Sequence, residues 1–162
     1  MDFNISRIKY NADDFKWFQT LVFDEEIMQY ITGEILTPDQ ALEKFNAMVA
    51  INKEEEELGY FKLIGYNTEF IGECKLERYA QDKSMLELGY ILKKAYRRKG
   101  IGTLICQELL SLAAEHYPNM PIIAIIDPDN LASRSLLEKF NFKSFFVGVE
   151  DNLPTEKFIL TQ

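Results

Sequence analysis

The chain has 162 residues, of which 47% are apolar and 27% are charged, a balance typical of one folded domain and not of a disordered chain. Its formal net charge of -8 argues against a general nucleic-acid surface, because phosphate binding needs a broad basic face. No segment reaches the ~18 consecutive apolar residues of a membrane span, and the N-terminus lacks the pattern of a signal peptide. We therefore expect a single domain over residues 1–162, with no nucleic-acid or membrane partner.

The number and spacing of the cysteines argue against a disulfide framework and a metal cluster. Cys74 and Cys106 are too few for a disulfide framework or a metal cluster, and neither belongs to a Cys-x-x-Cys motif. We expect both to be reduced, packed residues of a cytoplasmic protein that binds no metal.

The first half of the chain predicts a strand and two capped helices. Apolar alternation in FNISRIKY predicts a short strand, and NADDFKWFQTLVF follows as a helix with Asn11, Asp13 and Asp14 at cap positions. Thr37-Pro38-Asp39-Gln40 has the form of a capping box. The second helix is expected to end near Asn52 and to bury one apolar stripe, which consists of Ala41, Leu42, Phe45, Met48 and Val49.

The rest of the chain predicts an antiparallel meander followed by alternating elements. LGYFKLIGYNTEFIGECKLERY predicts two strands joined by a turn near Asn67, and MLELGYIL predicts a third. A helix from about Gly100 to His116 follows, with a core-facing stripe of Ile101, Leu104, Ile105, Leu109 and Leu112. PIIAII then predicts a buried strand, ASRSLLEKF a short helix, and FKSFFVGV and EKFILT two final strands. The order of elements predicts a mixed α+β fold.

A basic, glycine-containing loop separates the third strand of the meander from the long helix. KKAYRRKGIGTLI, residues 93–105, holds five of the eighteen Lys and Arg residues. A strand, a glycine turn and a helix start together present free N–H groups at the positive end of a helix dipole, which favours phosphate. The phosphate-loop motif of nucleotide triphosphatases is absent, and Ile105 stands where a dinucleotide-binding loop needs its third glycine.

The loop resembles the acetyl-coenzyme A (acetyl-CoA) loop of the GNAT superfamily of N-acetyltransferases. Arg97-Arg98-Lys99-Gly100-Ile101-Gly102 matches the pattern Arg/Gln-x-x-Gly-x-Gly/Ala. FIGECKL, LELGYILKKAYRRKGIGTLICQELL and AIIDPDNLASRSLLEKFNFK fall in the family's order and spacing, and the wording is most similar to the ribosomal-protein-alanine N-acetyltransferase subgroup. Asn141 stands where the family usually has Gly, but Asn also tolerates the left-handed region, so we expect a helix C-cap there.

The resemblance implies a fold and a cofactor site. The fold is the acyl-CoA N-acyltransferase fold, with a mostly antiparallel central sheet of six or seven strands and about four helices. Acetyl-CoA is the implied co-substrate, without a metal. The implied contacts are the backbone of Ile91 and Leu92 with pantetheine, the N–H groups of Arg98, Lys99, Gly100, Ile101, Gly102 and Thr103 with pyrophosphate, the basic side chains of Arg97, Arg98 and Lys99 with phosphate, and Asn130 and Ser133 on the cofactor's other side.

Acetyl transfer to an amine requires a proton acceptor, because an unperturbed amine with a pKa of ~10.4 is protonated at neutral pH. Strand alternation keeps Glu87 off the apolar face of its strand, so Glu87 is the first candidate base and Glu73 the second. The family's usual proton donor to the thiolate is a Tyr at the position of Leu137. The remaining hydroxyls are those of Ser133, the candidate catalytic partner, and Tyr90; a thiolate that leaves without an acid is the third possibility.

The resemblance implies direct attack by a primary amine in a ternary complex, with the acceptor bound by about residues 15–37 and the last hairpin. Acidic side chains there favour a cationic acceptor: Asp24, Glu25, Glu26, Glu34, Glu150 and Asp151. A protein N-terminus, a polyamine, an aminoglycoside and other small amines all fit. A homodimer is implied by resemblance, with FNFKSFFVGV as a candidate surface. Two other classes are a non-catalytic acyl-CoA-binding module and an interaction domain in which the basic loop only caps a helix.

Overall fold

A computed structural model describes residues 4–162 and contains one seven-stranded sheet. The strands are β1 (Ser6–Lys9), β2 (Gly59–Ile64), β3 (Phe70–Arg78), β4 (Leu86–Leu92), β5 (Ile122–Ile126), β6 (Lys143–Glu150) and β7 (Leu153–Leu160). Their order in the sheet is β1-β2-β3-β4-β5-β7-β6. Of these neighbours only β4 and β5 run parallel, which confirms the predicted mixed and mostly antiparallel sheet.

Five α-helices lie between the strands. They are α1 (Phe15–Val22), α2 (Glu25–Met28), α3 (Pro38–Ile51), α4 (Ile101–His116) and α5 (Leu131–Lys139), and short 3₁₀ turns occur at Ala12–Asp14 and Lys94–Tyr96. The short helix α2, which Asp24 caps, is one that the sequence pattern did not predict. Among residues 4–162 no helix is both long enough and apolar enough to cross a membrane.

Side-chain caps fix the helix starts as the sequence predicts. Thr37 Oγ1 accepts a hydrogen bond from the Gln40 N–H at 3.2 Å, and Gln40 Oε1 accepts one from the Thr37 N–H at 2.9 Å. Asn11 and Asp14 form the same reciprocal box ahead of α1. Asn141 has φ +68°, so the predicted left-handed C-cap of α5 is confirmed.

The sheet separates two apolar clusters. Helices α4 and α5 cover one face, where Leu76, Leu86 and Leu109 are fully buried, and we call this the α4 face. Helices α1, α2 and α3 cover the opposite face around Phe18 and Phe45, and we call it the α3 face. Burial of this apolar area is the main force that holds the helices to the sheet.

The residues that α3 and α4 bury differ in part from the apolar stripes predicted for these helices. Leu42 is 46% exposed, because it is rotated by about 100° from Ala41 and away from the buried row that Ala41, Phe45 and Met48 form. On α4, Leu104 and Leu112 are half-buried, whereas the small residues Cys106 and Ala113 are fully buried. Close approach of α4 to the sheet therefore uses small side chains that a search for large apolar residues overlooks.

The parallel pair β4–β5 is paired along only part of its length. The register joins Leu86 to Ile122, Glu87 to Ile123 and Leu88 to Ala124, and no pair follows, although β4 continues to Leu92. The last residues of β4 therefore have a neighbour on the β3 side only. The resulting gap between β4 and β5 lies at the carboxyl ends of two parallel strands, where ligands of open α/β sheets commonly bind.

Candidate active site

A cavity of about 640 Å³ runs through the gap between β4 and β5 and opens on both faces of the sheet. On the α3 face its walls are Phe18, Val22, Met28, Tyr60, Glu73 and Ile91, and on the α4 face they are Tyr90, Asn130, Ser133 and Leu137. Residues of the segment 15–37 and of the last hairpin line it too. A ligand entering from one face can thus meet a ligand entering from the other.

The backbone of β4 presents alternate residues to the gap. The Leu86 N–H donates toward β5, to the Pro121 carbonyl at 2.9 Å, whereas the Lys93 N–H donates toward β3, to the Ile71 carbonyl at 2.9 Å. Alternation along the strand therefore turns the backbone groups of Tyr90 and Leu92 to the gap. The Ile91 carbonyl faces β3, where a Cβ added to Gly72 would lie 2.1 Å from it.

Two residues were expected to contact pantetheine through their backbone, and their backbone groups point in opposite directions. Leu92 faces the gap, and its carbonyl also accepts a hydrogen bond from Arg97 Nε at 3.2 Å. Ile91 uses its backbone in the β3–β4 ladder and contributes its side chain to the cavity on the α3 face. Tyr90, predicted only for its hydroxyl, also turns its backbone groups to the gap.

The basic loop leads into α4 with a turn that leaves donors free. Arg98 and Gly100 both have left-handed backbones, with φ +59° and +82°. Across the described part of the chain, the N–H groups of residues 98–103 donate to no carbonyl and no side chain. Six N–H groups at the positive end of a 16-residue helix form an arrangement suited to an anion such as pyrophosphate.

The two glycines of the loop serve different needs. A Cβ on Gly100 would meet nothing within 4 Å, so space does not require glycine there, but φ +82° favours it. Gly102 shows no positive φ, yet its Cβ would lie 3.0 Å from Tyr90 Oη. The first glycine is required by conformation and the second by close packing.

The α5 side of the cavity carries Asn130 and Ser133. Asn130 is the N-cap, and its Oδ1 accepts a hydrogen bond from the Ser133 N–H at 3.2 Å. The Ser133 hydroxyl lies near the Tyr90 phenol, whose pKa is raised by burial and lowered in part by that hydroxyl. Leu137, at the position of the family's usual tyrosine, is 4% exposed and offers no proton.

The two carboxylates proposed as bases have different surroundings. Glu87 Oε1 accepts a hydrogen bond from Lys75 Nζ at 2.7 Å, in an ion pair that Glu77 shares at 3.3 Å. Glu73 is 6% exposed, lines the cavity, and its Oε1 has no hydrogen-bond partner among residues 4–162. Burial raises the pKa of Glu73 to about 7, against the opposing charges of Lys44 and Lys75.

Three of the six acidic residues suggested for a cationic acceptor are engaged by other groups of the protein. Asp24 caps α2 and Glu26 pairs with Lys94 at 2.9 Å. Glu150 pairs with Lys157, and the hydrogen bond from that ammonium lowers the pKa of Glu150. Of the six residues, only Glu150 and Asp151 line the cavity.

The sequence pattern did not identify three polar residues beside the cavity, which are Lys157, Tyr79 and Gln81. Lys157 Nζ donates to Tyr79 Oη at 3.0 Å and to Gln81 Oε1 at 3.3 Å, so it ties the β3–β4 loop to the last hairpin beside the cavity. No local pattern marks these residues, because strands β3 and β7 bring them together over 76 or more positions of sequence.

The two cysteines are protonated thiols, and of the two only Cys74 lines the cavity. Both cysteines are buried and unpaired, and burial raises the pKa of Cys106 to about 11 and raises that of Cys74 further. Protonated, buried thiols are poor nucleophiles. Within residues 4–162 no group of three or more His, Cys, Asp or Glu side chains could hold a metal ion.

The sheet has seven strands, its one parallel pair separates, and a glycine-containing loop lies beside that separation. Together these features define the architecture of an acyltransferase. The family model described as an acetyltransferase (GNAT) domain matches residues 8–143. The chain belongs to this family.

Individual relatives are more distant. The chain is 28% identical over 109 residues to an uncharacterized N-acetyltransferase, YjdG, of Bacillus subtilis (strain 168); the match covers 67% of this chain and spans only 58% of that curated relative. A GnaT-family acetyltransferase from Bordetella pertussis superposes with a TM-score of 0.81 at 18% identity, covering 98% of this chain and 96% of that one. A spermidine N-acetyltransferase from Vibrio cholerae, in complex with CoA and spermine, superposes with a TM-score of 0.79 at 16% identity, covering 98% and 95%.

Proposed function

We propose that this chain transfers the acetyl group of acetyl-CoA to a primary amine by direct attack in a ternary complex. One observation carries the proposal: a single cavity through the gap between β4 and β5 joins Asn130 and Ser133 on the α4 face to Glu73 on the α3 face, a buried carboxylate whose Oε1 has no hydrogen-bond partner among residues 4–162. Family membership supports acetyl-CoA as the donor, because GNAT domains use this co-substrate.

The cofactor would occupy the α4 side of the cavity. The N–H groups of residues 98–103 would hold the pyrophosphate, and the basic side chains of residues 97–99 would attract the remaining phosphate. Pantetheine would run along the gap and hydrogen-bond to the backbone of Tyr90 and Leu92, as an added partner for the unpaired edge of β4. Asn130 and Ser133 would border it on the α5 side.

Glu73 is the proposed general base. It is the carboxylate without a cation bonded to it, and its pKa of about 7 lies close to the pH at which a base works best. One strand spacing of ~4.8 Å separates β3 from β4, so Glu73 reaches the gap directly or through one water. Glu87 remains the alternative, but its Oε1 already accepts a hydrogen bond from the Lys75 ammonium.

Acetyl transfer proceeds through a tetrahedral intermediate. The protonated amine gives one proton to Glu73, which releases it to solvent, and the freed lone pair attacks the thioester carbonyl carbon. The oxyanion accepts a hydrogen bond from a β4 N–H that faces the gap, that of Tyr90 or Leu92, and the nitrogen of the tetrahedral intermediate gives its second proton to Glu73. Collapse of the tetrahedral intermediate breaks the C–S bond, and CoA leaves with the sulfur electron pair. The leaving thiolate takes a proton from a hydroxyl of the α4 face, where Ser133 is the predicted donor.

The acceptor half of the cavity combines one buried acid with apolar walls. Phe18, Val22 and Met28 form those walls, which favours an amine carried on an apolar or mixed body. A protein N-terminus, as in the ribosomal-protein-alanine subgroup, and a polyamine, as bound by the Vibrio relative, are the two leading classes. A cytoplasmic location and a homodimer belong to the proposal; exposed Phe145, Val147 and Val149 on edge strand β6 support self-association.

A non-catalytic acyl-CoA-binding module is the second candidate. Leu137 favours it, because this residue stands where the family's usual proton donor would be and is buried in the core. Such a module would bind acetyl-CoA and release no thiol with any amine.

Detection of free thiol with a panel of amines tests both candidates. The panel holds peptides with varied N-termini, polyamines and aminoglycosides, and calorimetry measures acetyl-CoA binding separately. We expect turnover with at least one class and a loss of about tenfold or more in kcat/KM for Glu73→Gln, with the acetyl-CoA Kd unchanged. Glu87→Gln is the matched control; a larger loss there than in Glu73→Gln would move the base to Glu87. Binding without turnover would favour the module.

A further inference from the structure

Helix α5 and its cap form part of the cavity wall on the α4 face, but few buried groups hold this helix to the sheet. Asn130, Ser133 and Leu137 line the cavity from here. Among the nine residues of α5, all of which the structure describes, only Leu137 is buried. Apolar burial is not directional, so one buried side chain holds the helix near the sheet without fixing its rotation about its own axis.

An ion pair holds the first turn of α5 by directional bonds. Arg134, the residue after Ser133, donates a hydrogen bond from Nη2 to Glu156 Oε1 on β7. The other carboxylate oxygen, Oε2, accepts a hydrogen bond from Ser144 Oγ on β6 at 3.3 Å. The guanidinium carbon of Arg134 also lies 5.8 Å from the centroid of the Phe158 ring. Because Glu156 is 1% exposed, water does not compete for its carboxylate.

The order of the strands places this ion pair on the side of α5 away from the gap. Helix α5 packs on β5, which has β4 on one side and β7 on the other. Ser133 and Leu137, one turn apart, face the cavity between β4 and β5. Arg134 is rotated by about 100° from Ser133 and reaches β7 instead. The bond between Arg134 and Glu156 therefore sets the rotation of α5 that turns Ser133 to the cavity.

We propose that Arg134 and Glu156 are positioning residues for the acetyl-CoA site, because they orient the start of α5 so that Asn130 and Ser133 border the cofactor. This inference rests on the proposed function above, which places acetyl-CoA on this side of the cavity. Neither Arg134 nor Glu156 is among the described residues that line the cavity, so both act through their neighbours. Affinity for acetyl-CoA thus depends on an ion pair outside the cavity.

The energetics of buried ion pairs separate positioning from stability. Apolar residues of similar volume often stabilise a fold as well as a buried ion pair does, whereas removal of one partner leaves a costly unpaired charge. Only the ion pair supplies hydrogen bonds of fixed direction. Replacement of both residues, as Arg134→Met with Glu156→Leu, removes the direction without leaving a charge unpaired.

The experiment compares wild type with Arg134→Met, Arg134→Lys and the double variant Arg134→Met/Glu156→Leu, using calorimetry with acetyl-CoA. We expect the Kd to rise by about tenfold in Arg134→Met, the equivalent of about one lost hydrogen bond to the cofactor. The KM for acetyl-CoA should rise likewise, and the KM for the amine should stay within about twofold. Arg134→Lys, which can still donate to Glu156, should recover most of the affinity. The double variant should regain stability in urea but keep the raised Kd.

Lys62→Met is the matched control. It also takes the cation from a buried carboxylate, that of Asp14, whose Oδ1 lies 2.7 Å from Lys62 Nζ. This pair joins β2 to the turn before α1, and neither residue lines the cavity. Lys62→Met should lose stability but keep the acetyl-CoA Kd within about twofold. Amide hydrogen exchange of residues 131–139 without cofactor should become faster in Arg134→Met and the double variant, but not in Lys62→Met.

Two outcomes overturn this proposal alone, with wild type binding acetyl-CoA and releasing thiol. One is a wild-type Kd in Arg134→Met, which would show that the cofactor does not depend on the ion pair. The other is a double variant that regains affinity together with stability, or a Kd raised equally in Lys62→Met, since either result would assign the loss to destabilisation. A wild-type protein that binds no acetyl-CoA overturns the proposed function and this proposal together.

Discussion

Burial of Glu73 makes the stability of the protein depend on pH in a defined window. The folded-state pKa is raised from 4.5 to about 7, so between these values the folded protein holds a proton that the unfolded chain has released. The free energy of unfolding therefore falls as pH rises through this window and is level above it. A shift of this size corresponds to roughly 3 kcal/mol of stability that Glu73 removes once it is ionised.

Glu73→Gln isolates that contribution, because glutamine has nearly the same shape and carries no charge. Urea unfolding at about pH 5 and about pH 8 should show a decline in wild type that is smaller in the variant by up to roughly 3 kcal/mol. At the higher pH the variant should be the more stable protein. Glu87→Gln is the control and should be destabilised, because it removes one partner of Lys75. Parallel stability curves for wild type and Glu73→Gln would show that folding does not raise the pKa of Glu73.

Three further predictions concern the loop, the rate profile and α5. Gly100→Asp should weaken acetyl-CoA binding by about tenfold or more in calorimetry, whereas Gly100→Asn, which has the same shape and also tolerates the left-handed region, should bind more tightly than Gly100→Asp; equal affinities would exclude charge as the cause. In wild type kcat/KM should rise as pH increases through about 7, and Glu73→Gln should lose that rise; a profile unaltered by the substitution would remove Glu73 as base. Arg134→Met should cost about 3 kcal/mol in thermal or urea unfolding because it leaves the Glu156 carboxylate, 1% exposed, without its cation, and Arg134→Lys should cost less; a neutral Arg134→Met would show that the ion pair adds no stability.

Features set by neighbouring residues were predictable from the sequence. The capping boxes of the helices that begin near Asn11 and Thr37 need only residues three positions apart, and the left-handed Asn141 needs only its own tolerance of positive φ. The two faces of β4 follow from strand alternation, and the structure has Glu87 opposite to Leu86 as predicted. The Gly-x-Gly loop was equally visible, because a helix start and its donors are local.

Features set by distant residues were not predictable. Glu73 and Glu87 look alike in the sequence as strand carboxylates. Only the packing of α1, α2 and α3 on one face of the sheet leaves Glu73 buried, whereas Glu87 forms an ion pair with Lys75. The contact of Tyr90 with Gly102 depends on how closely α4 approaches β4. Leu42 was assigned to the core because periodicity cannot tell how wide a stripe the neighbouring elements cover.

A crystal structure of the protein with CoA is the most direct test of the central claim, that the separation of β4 and β5 is where amine and thioester meet. We expect phosphate oxygens at about 3 Å from N–H groups of residues 98–103, and pantetheine hydrogen-bonded to the backbone of Tyr90 or Leu92. The sulfur is expected inside the gap. CoA bound elsewhere, or a sulfur outside the gap with the loop N–H groups unoccupied, would contradict the account.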